Sequence, residues 1–171
     1  MNETELKSLV HKIVEERISP PKAPALRTAS AVTLRLAKAL AAEVEAEAAR
    51  IGVNAVVAVS DSSGRPVLVE VMDDAFIASY DVALGKAFTV VSLKMSTIAL
   101  KPLAQPGGSL YGIQFTNDSH IVIFGGGEPL CAEGAIVGGL GVSGGTEEQD
   151  TALAAYGAKA FARLLGTPLH G

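Results

Sequence analysis

The sequence predicts an α+β domain in which helices flank an antiparallel sheet, preceded by a tethered amphipathic helix. Three observations carry this. From Thr33 onward, segments of helical and strand periodicity alternate in the order α-β-β-α-α-β-β-α, and strands that follow each other closely pair antiparallel, because parallel neighbours need a long crossover. Residues 3–18 carry a separate helical stripe, cut off from the rest by a proline-rich stretch. Finally, 49% of the 171 residues are hydrophobic and 19% charged, enough apolar material for one core, assigned to residues 32–166.

In ETELKSLVHKIVEERI, Leu6, Leu9, Val10, Ile13 and Val14 stand at i, i+3, i+4, i+7 and i+8, one face of a helix, with Thr4 as its N-cap. The stretch at 19–31 holds Pro20, Pro21 and Pro24, which cannot continue a helix and favour an extended tether. A helix this short is marginal alone, so its apolar face needs a partner surface, either its own domain or another protein.

The domain begins with TLRLAKALAAEVEAEAARIG, where Leu36, Leu40, Val44, Ala48 and Ile51 keep helical spacing and Gly52 caps the end. VNAVVAVS and PVLVEVMD, joined by Asp61-Ser62-Ser63-Gly64, form a hairpin. FIASYDVALGKAFTVVSLKM is helical despite Gly85, and STIALKPLAQ adds a short helix that Pro102 disrupts or kinks. HIVIF and AIVGGLGVSG supply two more strands around GGGEPLCAEG. TEEQDTALAAYGAKAFARLLG closes the domain as a helix with a Thr146/Gln149 capping box and Gly166 at its end; residues 167–171 form a tail.

Composition excludes several classes. With 14 basic and 18 acidic residues, a net charge of −4, there is no broad basic field for nucleic acid. No run of 18 apolar residues marks a membrane span. The single Cys131 forms no internal disulfide and reads as a buried free thiol. The N-terminus lacks a secretory h-region, so a cytoplasmic location is expected.

Glycine is in excess, 18 residues with twelve of them between Gly107 and Gly145, against a typical share of about 7%. None lies in a nucleotide-binding motif, and the acidic start of the last helix serves the helix dipole. The stretch 105–118, QPGGSLYGIQFTND, gathers Gln105, Ser109, Tyr111, Gln114, Thr116 and Asn117 on an irregular segment. It suits a ligand loop or a structural Ω-loop equally. Gly125, Gly126 and Gly127 admit a planar group or a neighbouring subunit close to the backbone. His11, His120 and His170 stand far apart, and no metal-binding spacing exists. Asp81 and Lys86 lie about 140° apart on their helix and do not pair; Asp73-Asp74 reads as a solvated turn at a strand end.

Five separated motifs, AVVAVSDSSGRPV, SYDVALGKAFTVV, QPGGSLYGIQFTN, IVIFGGGEPL and GAIVGGLGVSGGTEEQD, resemble in order and spacing the GlcG/HbpS-like family, which includes the C-terminal domain of PduO-type proteins. The resemblance covers nearly all of residues 33–165. It implies a profilin-like fold with a five-stranded antiparallel sheet, the fifth strand falling at Ile113 to Thr116, assembly into homo-oligomers, and haem or related tetrapyrrole binding without an established reaction. The N-terminal segment resembles the encapsulation peptides of bacterial microcompartment cargo, so Leu6, Leu9, Val10, Ile13 and Val14 are the expected docking face for a shell or cargo protein.

The expected function is thus a non-enzymatic tetrapyrrole-binding accessory protein inside a microcompartment. The alternatives are a small-metabolite enzyme or a ligand-free assembly module. Ligand-binding candidates are Asp81, Lys86, Tyr111, Gln114, Thr116, Asn117, Gly125, Gly126 and Gly127. No catalytic residue and no axial ligand is assigned; His120, Cys131, Tyr80, Tyr111, Met72 and Met95 are among the residues with suitable donors, none in a haem-attachment motif.

Overall fold

The computed structural model describes residues 32–166. The amphipathic stripe Leu6 to Val14, the tether at 19–31, His11, and the tail with His170 lie outside the described residues. Four helices and four strands appear among the described residues: α1 (Leu34–Arg50), β1 (Val56–Asp61), β2 (Pro66–Val71), α2 (Ser79–Leu93), α3 (Thr97–Ala104), β3 (Gly127–Ala132), β4 (Ala135–Ser143) and α4 (Glu147–Leu165). The sheet order is β2-β1-β4-β3, antiparallel throughout.

Helices cover both faces of this sheet. On one side α1 and α4 bury Leu40, Val44, Leu153 and Phe161 against Val57, Val59, Leu140 and Val142. Each large apolar side chain so buried contributes about 1.5–3 kcal/mol before ordering costs. On the other side α2 packs Ala83 and Ala87 on Val56 and Ala58. Here the GGLGV run of β4 has its physical meaning. Cβ atoms at Gly139 and Gly141 would fall 2.3 Å from the Ala87 carbonyl oxygen and 2.0 Å from that of Ala83, so α2 rests directly on the strand backbone. Leu140 and Val142, at alternate positions, point to the opposite core.

Local signals place the helix ends as read from the sequence. The Thr33 hydroxyl accepts the Leu36 N–H at 3.2 Å, and Gly52, φ +72°, follows the end of α1. Thr146 and Gln149 form a reciprocal capping box on α4. Pro102 sits inside α3, which ends two residues later.

Three expectations are corrected. The strand expected at HIVIF is irregular; the third strand is Gly127–Ala132, within the stretch taken as a connection. Pro129 is accommodated because β3 is an edge strand, where a missing N–H is tolerated. Ile121 and Ile123 pack instead with Leu100, Ala104, Phe88 and Leu110 in a third cluster beneath α3, and the Val122 N–H is satisfied by the Thr89 hydroxyl at 2.9 Å. The fifth strand at Ile113 to Thr116 is a 3₁₀ turn, Ile113–Phe115. Cys131 is exposed rather than buried, because the inward positions of this strand are taken by Leu130 and Ala132. Among the described residues no single helix is long and apolar enough to cross a membrane.

Candidate functional site

The sequence candidates separate into two neighbouring regions. The first is a buried seam where Gly125, Gly126 and Gly127 thread between three helices. The Gly125 N–H is bonded to Glu147 Oε1 at 2.9 Å, and the Gly127 N–H to the Thr97 hydroxyl at 2.8 Å. Lys101 pairs with the other oxygen of Glu147. Under Gly126 lies Lys86, its side chain wholly buried, donating to Val142 O and Asp150 Oδ2, each at 2.7 Å. Its ammonium also stands 4.9 Å from the Phe124 ring centroid. Asp150 Oδ1 accepts the Gly144 and Gly145 N–H groups at 3.1 and 2.9 Å.

There is no spare room in this seam. A Cβ at Gly125 would lie 2.0 Å from Thr151 Oγ1, at Gly126 2.5 Å from Lys86 Nζ, and at Gly127 2.7 Å from Thr97 Cγ2. Burial lowers the Lys86 pKa, with the Asp150 charge opposing the shift. For Glu147 the Gly125 N–H and then Lys101 hold the carboxyl below its usual range. Lys86 and Asp81 are indeed unpaired with each other. The partner of Lys86, Asp150, escaped sequence reasoning because it stands 64 residues away. One signal was present: Lys86 lies in the same stretch of α2 as the buried Ala83, Ala87 and Val90, and a charge among buried apolar positions implies a buried counter-charge.

The second region is the excursion between α3 and β3. Leu110, Ile113, Ile121 and Ile123 anchor it in the third cluster, and the Leu110 N–H is held by Leu103 O at 2.9 Å. Between those anchors Tyr111 and Phe115 face solvent, 64% and 78% exposed. Thr116 and Asn117 spend their side chains locally, Thr116 Oγ1 donating to Ile113 O and Asn117 Nδ2 to Thr116 Oγ1. Gln114 Oε1 is buried without a partner, so its acceptor calls for a donor from outside the described residues. Asn117, Asp118 and Ser119 all have positive φ, 51° to 62°, a strain that persists only where the surroundings impose it.

That strained turn leads into a hollow of about 280 Å³ lined by Asp81, Val82, Leu84, Gly85, Ser119, His120 and Val122. Gly85 makes this approach possible, since a Cβ there would meet Val122 Cγ2 at 2.7 Å and His120 O at 3.0 Å. The His120 ring sets its edge toward Phe88, centroids 5.8 Å apart. Asp81 is thereby joined to the excursion, while Lys86, on the same helix, belongs to the seam.

Comparison with known proteins agrees with this architecture. The family model described as haem-degrading protein HbpS-like matches residues 32–159. A 15.0 kDa protein from the dhaT-dhaS intergenic region of Citrobacter freundii is 47% identical over 133 residues, 78% of this chain and 94% of that protein. The corrinoid adenosyltransferase PduO of the same organism is 33% identical over 86% of this chain but only 44% of its own length. Among solved structures, the PduOC:heme complex superposes with a TM-score of 0.73 at 35% identity, covering 76% of this chain and 94% of that one. The chain therefore belongs to the HbpS-like family.

Proposed function

We propose that this chain is a haem- or related tetrapyrrole-binding accessory protein that acts without catalysing a reaction of its own, packaged as cargo of a bacterial microcompartment. The observation that carries it is the hollow at the end of the excursion, with apolar walls from Val82, Leu84 and Val122 and His120 in its lining, on a chain 35% identical to a protein crystallised with haem. These residues fit the group, since haem needs apolar contact for its macrocycle and a nitrogen, sulfur or phenolate donor for its iron. When bound, haem supplies an iron centre for redox or small-ligand chemistry. The protein's part is to hold the macrocycle and control its exposure to water.

The hollow's size supports assembly into homo-oligomers. Sites for drug-sized ligands span roughly 300–1,000 Å³; at about 280 Å³ the hollow falls short of that range, and a second copy would add cover for a tetrapyrrole. Ile77, 97% exposed, and Phe76, 71% exposed, provide apolar area for such contacts. Tyr111, Gln114, Thr116 and Asn117 lie on the excursion whose end, Ser119 and His120, lines the hollow, while Gly125 to Gly127 and Lys86 belong to the seam. Adenosyl transfer is not carried over from PduO, because this chain matches less than half of that protein.

Titration of purified protein with haemin tests the reading: a saturable Soret shift is expected, and its absence contradicts it. Packaging rests on residues 1–18, whose apolar stripe with five basic and four acidic residues across 1–31 suits docking by burial rather than by charge. Deleting 1–18 is expected to release the protein from purified compartments; continued co-purification contradicts the cargo assignment.

A further inference from the structure

We propose that His120 is the residue of this chain that binds the haem iron, an inference that rests on the haem-binding reading above. Among the seven described His, Cys, Met and Tyr residues, His120 alone lines the hollow, and the Tyr156 hydroxyl is spent on Glu43 at 2.9 Å. Met72 already uses its sulfur to accept the Ala55 N–H at 3.3 Å. Met95 packs into the third hydrophobic cluster. Cys131, Tyr80 and Tyr111 are exposed, and none of them lines the hollow.

The imidazole itself is free to coordinate. Its ring packs near Phe88, and neither ring nitrogen is hydrogen-bonded to a described residue. Its backbone, by contrast, is held at several points. The His120 N–H bonds to Asn117 O at 3.0 Å, its carbonyl oxygen lies against Gly85, and the next residue but one is fixed to Thr89. A held backbone at a residue that lines an apolar hollow, with an imidazole that bonds no described residue, is the arrangement a ligand position needs. The three consecutive left-handed residues before it, Asn117 to Ser119, are the cost of turning the chain so that residue 120 reaches α2. Asp81 is the other ionisable group lining the hollow.

The test compares the full chain with His120→Ala and His120→Gln, each titrated with haemin and followed by Soret absorption and by electron paramagnetic resonance of the ferric form. The wild type is expected to show a nitrogen-ligated signature. Both variants should lose it and bind haemin at least tenfold more weakly, and free imidazole should restore the Soret position in His120→Ala. If wild type and both variants bind with identical spectra and affinity, His120 is not the ligand, although the haem reading stands. If the wild type itself shows no saturable uptake, the haem reading fails and the ligand assignment falls with it.

Discussion

Gly125–Gly127 and the excursion at 105–120 lie close together in the chain, share an enrichment in glycine and polar groups, and differ in where those groups find partners. In the seam the flanking amides of Gly125 and Gly127 and the charges beneath are matched inside the protein. In the excursion aromatic side chains face outward, and among the described residues neither Gln114 Oε1 nor the His120 imidazole has a hydrogen-bond partner. Glycine therefore has two uses here, tolerance of crowding in the seam and, at Gly85, room for a loop to approach a helix. Only the second opens a surface to a ligand.

Damage to the seam should be large and confined to stability. Lys86→Met leaves Asp150 buried and uncompensated, a loss of about 3–5 kcal/mol in denaturant unfolding. Adding Asp150→Asn, which keeps an acceptor for Gly144 and Gly145, should recover part of that loss. A double variant as unstable as Lys86→Met alone would show that the ion pair is not the source. Gly126→Ala follows at about 3 kcal/mol, since φ is +108° and a Cβ would lie 2.7 Å from Val142 O.

Glu147→Gln is smaller, about 1–2 kcal/mol at neutral pH, for a charged hydrogen-bond acceptor, and it carries a pH signature. The folded carboxyl is held below the ordinary glutamate value of 4.5, first by the Gly125 N–H and then by Lys101. Its contribution is therefore present above that value and is lost as the pH falls through the lowered folded value. Unfolding curves of wild type and variant should converge as the medium becomes more acid than about pH 4.5; a constant gap would assign the effect to packing. In the excursion the pattern inverts: Phe115→Ser should change unfolding by no more than about 0.5 kcal/mol while weakening haemin binding severalfold by equilibrium titration.

What the sequence made legible follows from how local each cause is. The stripe of α1, the Thr146–Gln149 box and the β1–β2 hairpin depend on residues within a few positions of each other, and all three are present. The third strand was misplaced because two short segments competed for one place beside β4. The apolar HIVIF looked the better strand, but its side chains are needed in the cluster under α3, a tertiary demand with no local mark. Likewise Lys86 and Asp150 were each visible as charges, but their pairing depends on α2 lying on β4, which the spacing of Gly139 and Gly141 makes sense of only once the sheet is known. Tyr111, Gln114, Thr116 and Asn117 share one irregular segment, whereas Asp81 meets only the end of that segment, Ser119 and His120, at the hollow beside Gly85.

The most direct test of where the ligand sits is a haemin titration of the wild type beside Val82→Glu, which puts a carboxylate on the apolar wall of the hollow without touching the seam. The expected result is saturable binding by the wild type and at least a tenfold loss in Val82→Glu, with the unfolding midpoint little changed. Equal binding by the two proteins, or none by the wild type, would contradict a tetrapyrrole site at this hollow.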